Sequence, residues 1–94
     1  MLHLVVYDIS KDYSRTKLSK LLERFGLARV QYSAFRGELN PNDRDVLARR
    51  VKKFIEDERD CIFIIPLCMR CASTAIVISN TGVELVKDKS VEFI

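Results

Sequence analysis

Five consecutive apolar residues, Cys61-Ile62-Phe63-Ile64-Ile65, run directly into Pro66, and this run constrains the fold more than any other stretch. It is too short for a typical helix and too apolar for a loop, so it reads as a buried central strand stopped by Pro66. A second run, Leu2-His3-Leu4-Val5-Val6-Tyr7-Asp8-Ile9, is β-branched and apolar enough to be a strand covered on most of its surface.

Between the two runs the period changes. Ser10-Lys11-Asp12 supplies N-cap chemistry, Leu18, Leu21, Leu22 and Phe25 recur at i, i+3, i+4 and i+7, and Gly26 closes the pattern, which predicts a helix over 12–25. Its outer positions set Lys17, Lys20 and Arg24 in one basic stripe suited to phosphates. Leu27–Leu39 is strand-like, and Ser33-Ala34 and Gly37 allow a bend or tight hairpin inside it, hence two strands. Asn40 as N-cap, Pro41 at N1 and Asp43 in the first turn start a second helix over 41–57. Arg49, Arg50, Lys52 and Lys53, balanced by the Glu56-Asp57-Glu58-Arg59-Asp60 exit, read as its ordinary solvated back. Thr74–Ser79 and Val91–Ile94 read as further short strands.

This order gives an α+β fold, the ferredoxin-like split β-α-β sandwich, an antiparallel sheet with two helices on one face. Residues 1–80 form the domain, and 81–94 a tail that adds a strand across a dimer. A chain of 94 residues buries only about two-thirds of the surface its unfolded form exposes, so a homodimer is expected to add apolar burial. Sixteen Lys and Arg against 13 Asp and Glu leave +3, which permits nucleic-acid binding without announcing it. No apolar run approaches the roughly 20 residues of a membrane span, and Met1-Leu2-His3-Leu4 lacks a secretory pattern, so a cytoplasmic location without membrane contact is expected. Cys61, Cys68 and Cys71 are then reduced thiols.

Asp8 stands out chemically, because a carboxylate ending an apolar strand needs a hydrogen-bond or metal partner. It either caps the following turn or binds a cation. One carboxylate makes a poor Mg²⁺ site, and two chains around a two-fold axis would supply the second. Cys68-Met69-Arg70-Cys71 has C-x-x-C spacing, but Cys61 and His3 are scattered over other elements, so structural thiols are the plainer reading and His3 has no assigned role.

Leu4-Val5-Val6-Tyr7-Asp8-Ile9-Ser10, then Gly26-Leu27 and Arg29–Leu39, then Ile65-Pro66-Leu67-Cys68, resemble in order and spacing the small CRISPR-associated nuclease-like protein of spacer adaptation. The resemblance implies a ferredoxin-like homodimer that is both a metal-dependent endonuclease and the bridge between two integrase dimers. It implies one Mg²⁺ shared by two Asp8 at the dimer axis, and a catalytic set of Asp8, Tyr7, Arg15, Arg29 and Phe35. Duplex DNA and single-stranded RNA are the implied nucleic acids, gripped by Arg15, Lys17, Lys20, Arg24 and Arg29. Lys17 stands where close relatives carry a second arginine, so the bidentate fork is lost there. By strand position alone Phe35 belongs to core or interface, and Tyr7 fits either role. Two other functions suit the same pattern: a toxin-type messenger-RNA ribonuclease, and a ferredoxin-like metal carrier using Cys68 and Cys71.

Overall fold

The computed structural model describes residues 1–86. Strands β1 (Leu2–Asp8), β2 (Ala28–Gln31), β3 (Ala34–Glu38) and β4 (Cys61–Leu67) form one sheet in the order β2-β3-β1-β4, every neighbouring pair antiparallel. Helix α1 (Asp12–Arg24) joins β1 to β2, and α2 (Pro41–Val51) with a 3-10 turn over Lys52–Phe54 leads toward β4. This is the ferredoxin-like arrangement. The hairpin turns at Tyr32-Ser33, and a short helix α3 (Met69–Ala72) follows β4.

Helix α1 stops because Gly26 adopts φ +84°, letting its N–H reach Glu23 O at 2.9 Å and the Leu27 N–H reach Leu22 O at 3.1 Å. Helix α2 starts because Asn40 Oδ1 accepts the Asp43 N–H at 2.7 Å, with Pro41 at N1. Alternate residues of β1 point to opposite faces. Val5 and Tyr7 join Phe35, Leu18, Leu21, Leu22, Leu47, Val51 and Phe54 in the core between sheet and helices. Gly37 is required by close approach: a Cβ there would lie 2.7 Å from Leu27 Cδ2.

Five expectations change. β4 is an edge strand rather than a buried central one, with Phe63 55% and Ile65 37% exposed. Pro66 lies inside it opposite His3, because an edge position tolerates a missing donor. Ser10 does not cap α1, since Lys11 holds that position without a side-chain bond. The second helix ends at Val51 rather than 57, because Asp60 draws the Glu56 and Asp57 N–H groups off the helical path at 3.0 and 2.9 Å. Thr74–Ser79 is not a strand but carries a single bridge at Val77. That segment turns out of α3 and runs to the sheet face opposite the helices, where Arg36 Nε donates to Glu84 O at 2.7 Å. There Val86 is buried with Leu2 and Ala72. The terminal strand expected at 91–94 lies outside the described residues.

Candidate active site and nucleic-acid interface

A cleft of about 390 Å³ opens between α1 and the β2–β3 hairpin, lined by Tyr7, Asp12, Arg15, Thr16, Ser19, Arg29 and Tyr32. Arg15 Nη1 donates to Ile9 O at 2.7 Å and Ser10 O at 3.1 Å, and Arg15 also pairs with Asp12 one turn back. Arg29 lies 4.8 Å from the Phe35 ring centroid and donates to Tyr32 O. Tyr7 is stacked on Phe35 with centroids 6.3 Å apart. Burial pushes the Tyr7 phenol above its ordinary value, and the neighbouring Arg29 pulls it back only in part. Strand β1, helix α1 and the β2–β3 hairpin thus bring four of the sequence-predicted residues, Tyr7, Arg15, Arg29 and Phe35, around one cleft. Phe35 is wholly buried and touches the cleft through Arg29 and Tyr7, so it is closed to base stacking.

Asp8 ends β1 on the other side. Its side chain is exposed and falls on the sheet face shared by Val6 and Phe63, register partners of each other, with Cys61 opposite Asp8 itself. The turn after β1 is closed instead by Asp60, whose Oδ1 accepts from Ser10 N and Oγ. Among the described residues no three His, Cys, Asp or Glu side chains gather to hold a metal ion.

The expected phosphate-binding set is divided. Lys17, Lys20 and Arg24 line a different groove, about 510 Å³, together with Arg50 and Lys53. Helical geometry separates them from Arg15, because residues two apart on a helix point about 200° from each other. Arg50 and Lys53, read from sequence as an ordinary helix back, are groove residues, and their i, i+3 spacing was the available signal.

Asp60 was also missed. Its carboxyl is held far below the usual range by the N–H groups of Asp57 and Glu56 and by the Ser10 hydroxyl. Cys68 and Cys71 are exposed and free, with Cys68 Sγ accepting the Cys71 N–H at 3.3 Å. No helix among the described residues is long and apolar enough to cross a membrane.

Similar proteins bear on this geometry. The family model described as CRISPR associated protein Cas2 matches residues 1–75. A CRISPR-associated endoribonuclease Cas2 of Archaeoglobus fulgidus is 81% identical over 94 residues, covering 100% of both chains. One from Methanospirillum hungatei is 47% identical over 72 residues, spanning 76% of this chain and 79% of the other. Among solved structures, Streptococcus pyogenes Cas2 aligns with a TM-score of 0.64 at 26% identity, covering 72% of this chain and 87% of that one. A hypothetical protein from Thermus thermophilus aligns with a TM-score of 0.66 at 36% identity, covering 71% and 80%.

Proposed function

The chain belongs to the CRISPR-associated Cas2 family, and on that premise we propose that it serves spacer adaptation as a nucleic-acid-binding homodimer that bridges integrase dimers and hydrolyses phosphodiester bonds with a divalent metal. The observation that carries this reading is the position of Asp8, an exposed carboxylate on the sheet face opposite the helices, on the same face as the exposed Phe63. A second copy covering Phe63 and Ile65 brings its own Asp8 to the same face, giving the two carboxylates that a hard cation needs. Mg²⁺ bound there supplies an activated water and stabilises charge on the phosphate.

The chain's own groups do the rest. Arg15, anchored on the carbonyls of Ile9 and Ser10, offers its remaining N–H donors to a phosphate beside the cleft. Arg29, fixed over the Phe35 ring, offers a second cation at a set position. Tyr7 keeps its proton and donates a hydrogen bond rather than adding a negative charge. The relatives' name, endoribonuclease, supports RNA as the hydrolysed substrate; in this reading that RNA is single-stranded, and duplex DNA is the nucleic acid held during adaptation.

Asp8→Asn tests the hydrolytic part. Asn keeps the shape and loses the hard-cation ligand, so Mg²⁺-dependent cleavage of RNA should disappear while dimer mass and duplex binding persist. Full cleavage by an identically purified Asp8→Asn protein would overturn it. Co-purification of an integrase with both forms tests the bridging part.

A further inference from the structure

Cys68 and Cys71 lie one turn apart where β4 gives way to α3, far from any group the hydrolytic reading uses, and both are free and exposed. Cys68 holds the N-cap of α3 and its Sγ accepts the Cys71 N–H at 3.3 Å, so the first sulfur is aimed at the residue that carries the second. Residues at i and i+3 of a helical turn have Cα atoms about 5 Å apart, inside the roughly 4.4–6.8 Å that a disulfide spans. The two thiols can therefore join without a backbone rearrangement.

Groups other than sulfur hold this turn. The Ala72 N–H reaches Cys68 O at 2.9 Å and the Ser73 N–H reaches Met69 O at 2.9 Å, while Cys71 O accepts the Thr74 N–H at 3.1 Å and the Thr74 hydroxyl at 2.8 Å. Ala72, 2% exposed, packs the same turn against Leu2 and Val86. A pair fixed in this way reacts internally faster than with a second chain.

The two sulfurs are unequal. The Cys71 N–H, and after it the Cys71 thiol, hold Cys68 below the ordinary thiol value, while hydrogen bonding to Cys68, and then its charge, pushes Cys71 up. Cys68 is thus the attacking sulfur and Cys71 the resolving one. Cys61 serves in neither role, because it begins β4, about 20 Å along the strand from Leu67. Nor is the pair equipped as a zinc site: among the described residues no third His, Cys, Asp or Glu side chain joins it, and structural zinc takes four ligands.

We propose that Cys68 and Cys71 form a dithiol redox site that reacts with a low-molecular-weight disulfide and closes reversibly into a disulfide between them. In the first step the Cys68 thiolate attacks one sulfur of the small disulfide, forming a mixed disulfide and expelling the other half as a thiolate. The charge that held Cys71 up is then gone. Cys71 gives up its proton and attacks Cys68 Sγ, which expels the second small thiolate. Two protein thiols are oxidised, one small disulfide is reduced to two thiols, and the two cysteine protons end on the two leaving groups. The site needs neither the metal nor the nucleic acid of the function proposed above.

The test incubates the full chain with glutathione disulfide, traps the remaining thiols with iodoacetamide in denaturant, and measures the mass of the intact protein and of its peptides. Wild type should fall from three alkylated thiols per chain to one, Cys61, with the new bond mapped to Cys68 and Cys71, and excess reduced glutathione should restore all three. Cys71→Ser should stop one step earlier, with a single glutathione retained on Cys68. Cys68→Ser keeps the cap, because a serine hydroxyl accepts the same N–H, and its Cys71 should take up glutathione at least about tenfold more slowly than Cys68 does in Cys71→Ser. Cys61→Ser should form the same disulfide as wild type. Three thiols retained in wild type, a disulfide between chains, or equal uptake in the two single variants would overturn the proposal. So would a stoichiometric zinc ion, found by elemental analysis, that keeps both thiols reduced.

Discussion

The Asp60 carboxylate closes around Ser10, fifty residues earlier, with Oδ1 accepting the Ser10 N–H at 2.9 Å and the Ser10 hydroxyl at 2.8 Å. Its other oxygen takes the Glu56 and Asp57 N–H groups. One side chain thus fixes the loop after β1, the strand that presents Tyr7 and Asp8, to the loop before β4.

Acid sensitivity should report this bond. The unfolded Asp60 carboxyl protonates near about pH 3.9, whereas the folded one stays ionised well below that. Its stabilising contribution is complete above about pH 4 and is lost as pH falls further, because the unfolded chain then takes up a proton that the folded chain refuses. Asp60→Asn should be less stable at neutral pH and show a flatter acid limb in urea unfolding. An acid limb as steep as that of the wild type would contradict the assignment.

Gly37→Ala should destabilise the sheet. The new Cβ meets Leu27 Cδ2 at 2.7 Å, Gly26 O at 3.1 Å and Leu27 Cα at 3.2 Å, and the last two are backbone atoms that cannot swing aside. Overpacking of this kind costs about 1–3 kcal/mol, measurable as a lower denaturant midpoint at constant m-value.

Phe63→Asp should yield a folded monomer. Phe63 is more than half exposed, so the protomer loses little, while a charge on the face proposed to pack against a second copy opposes that packing. Light scattering should report one chain, and RNA cleavage should vanish with the paired Asp8. A stable dimer would place the interface elsewhere.

Arg29→Lys should lower RNA cleavage at least tenfold while leaving the fold intact, since an ammonium cannot reproduce a planar group lying over Phe35 and bonding the Tyr32 carbonyl. Single-turnover rates with a thermal-melting control decide it.

Local signals made much of this molecule legible. Gly26 at the end of α1, Asn40 at the start of α2 and Ser33 in the hairpin turn act through chemistry confined to neighbouring residues, and the resemblance gathered Tyr7, Arg15, Arg29 and Phe35 into one set. β4 misled because an apolar run looks alike whether it is buried within a chain or awaits another surface. Helical spacing placed Lys17, Lys20 and Arg24 in one stripe, and they do share a groove; Arg15 was joined to them by the resemblance alone, and the helical turn sends it to another side. Asp60 was hidden in a run of acidic residues, where nothing nearby reveals which carboxylate folds back onto a serine fifty positions away.

The pairing of β1 with β4 has a consequence for how the chain is made. Leu2 sits against Leu67 and Asp8 against Cys61, so the first strand to leave the ribosome completes its hydrogen bonding only with the last strand of the sheet. Closing so long a loop is entropically late and slow. During synthesis β1 can dock on β3 while its other edge stays open. A pause in translation before β4 emerges leaves that edge available to neighbouring nascent chains, so the arrival of β4 is the step that favours the native sheet over aggregation.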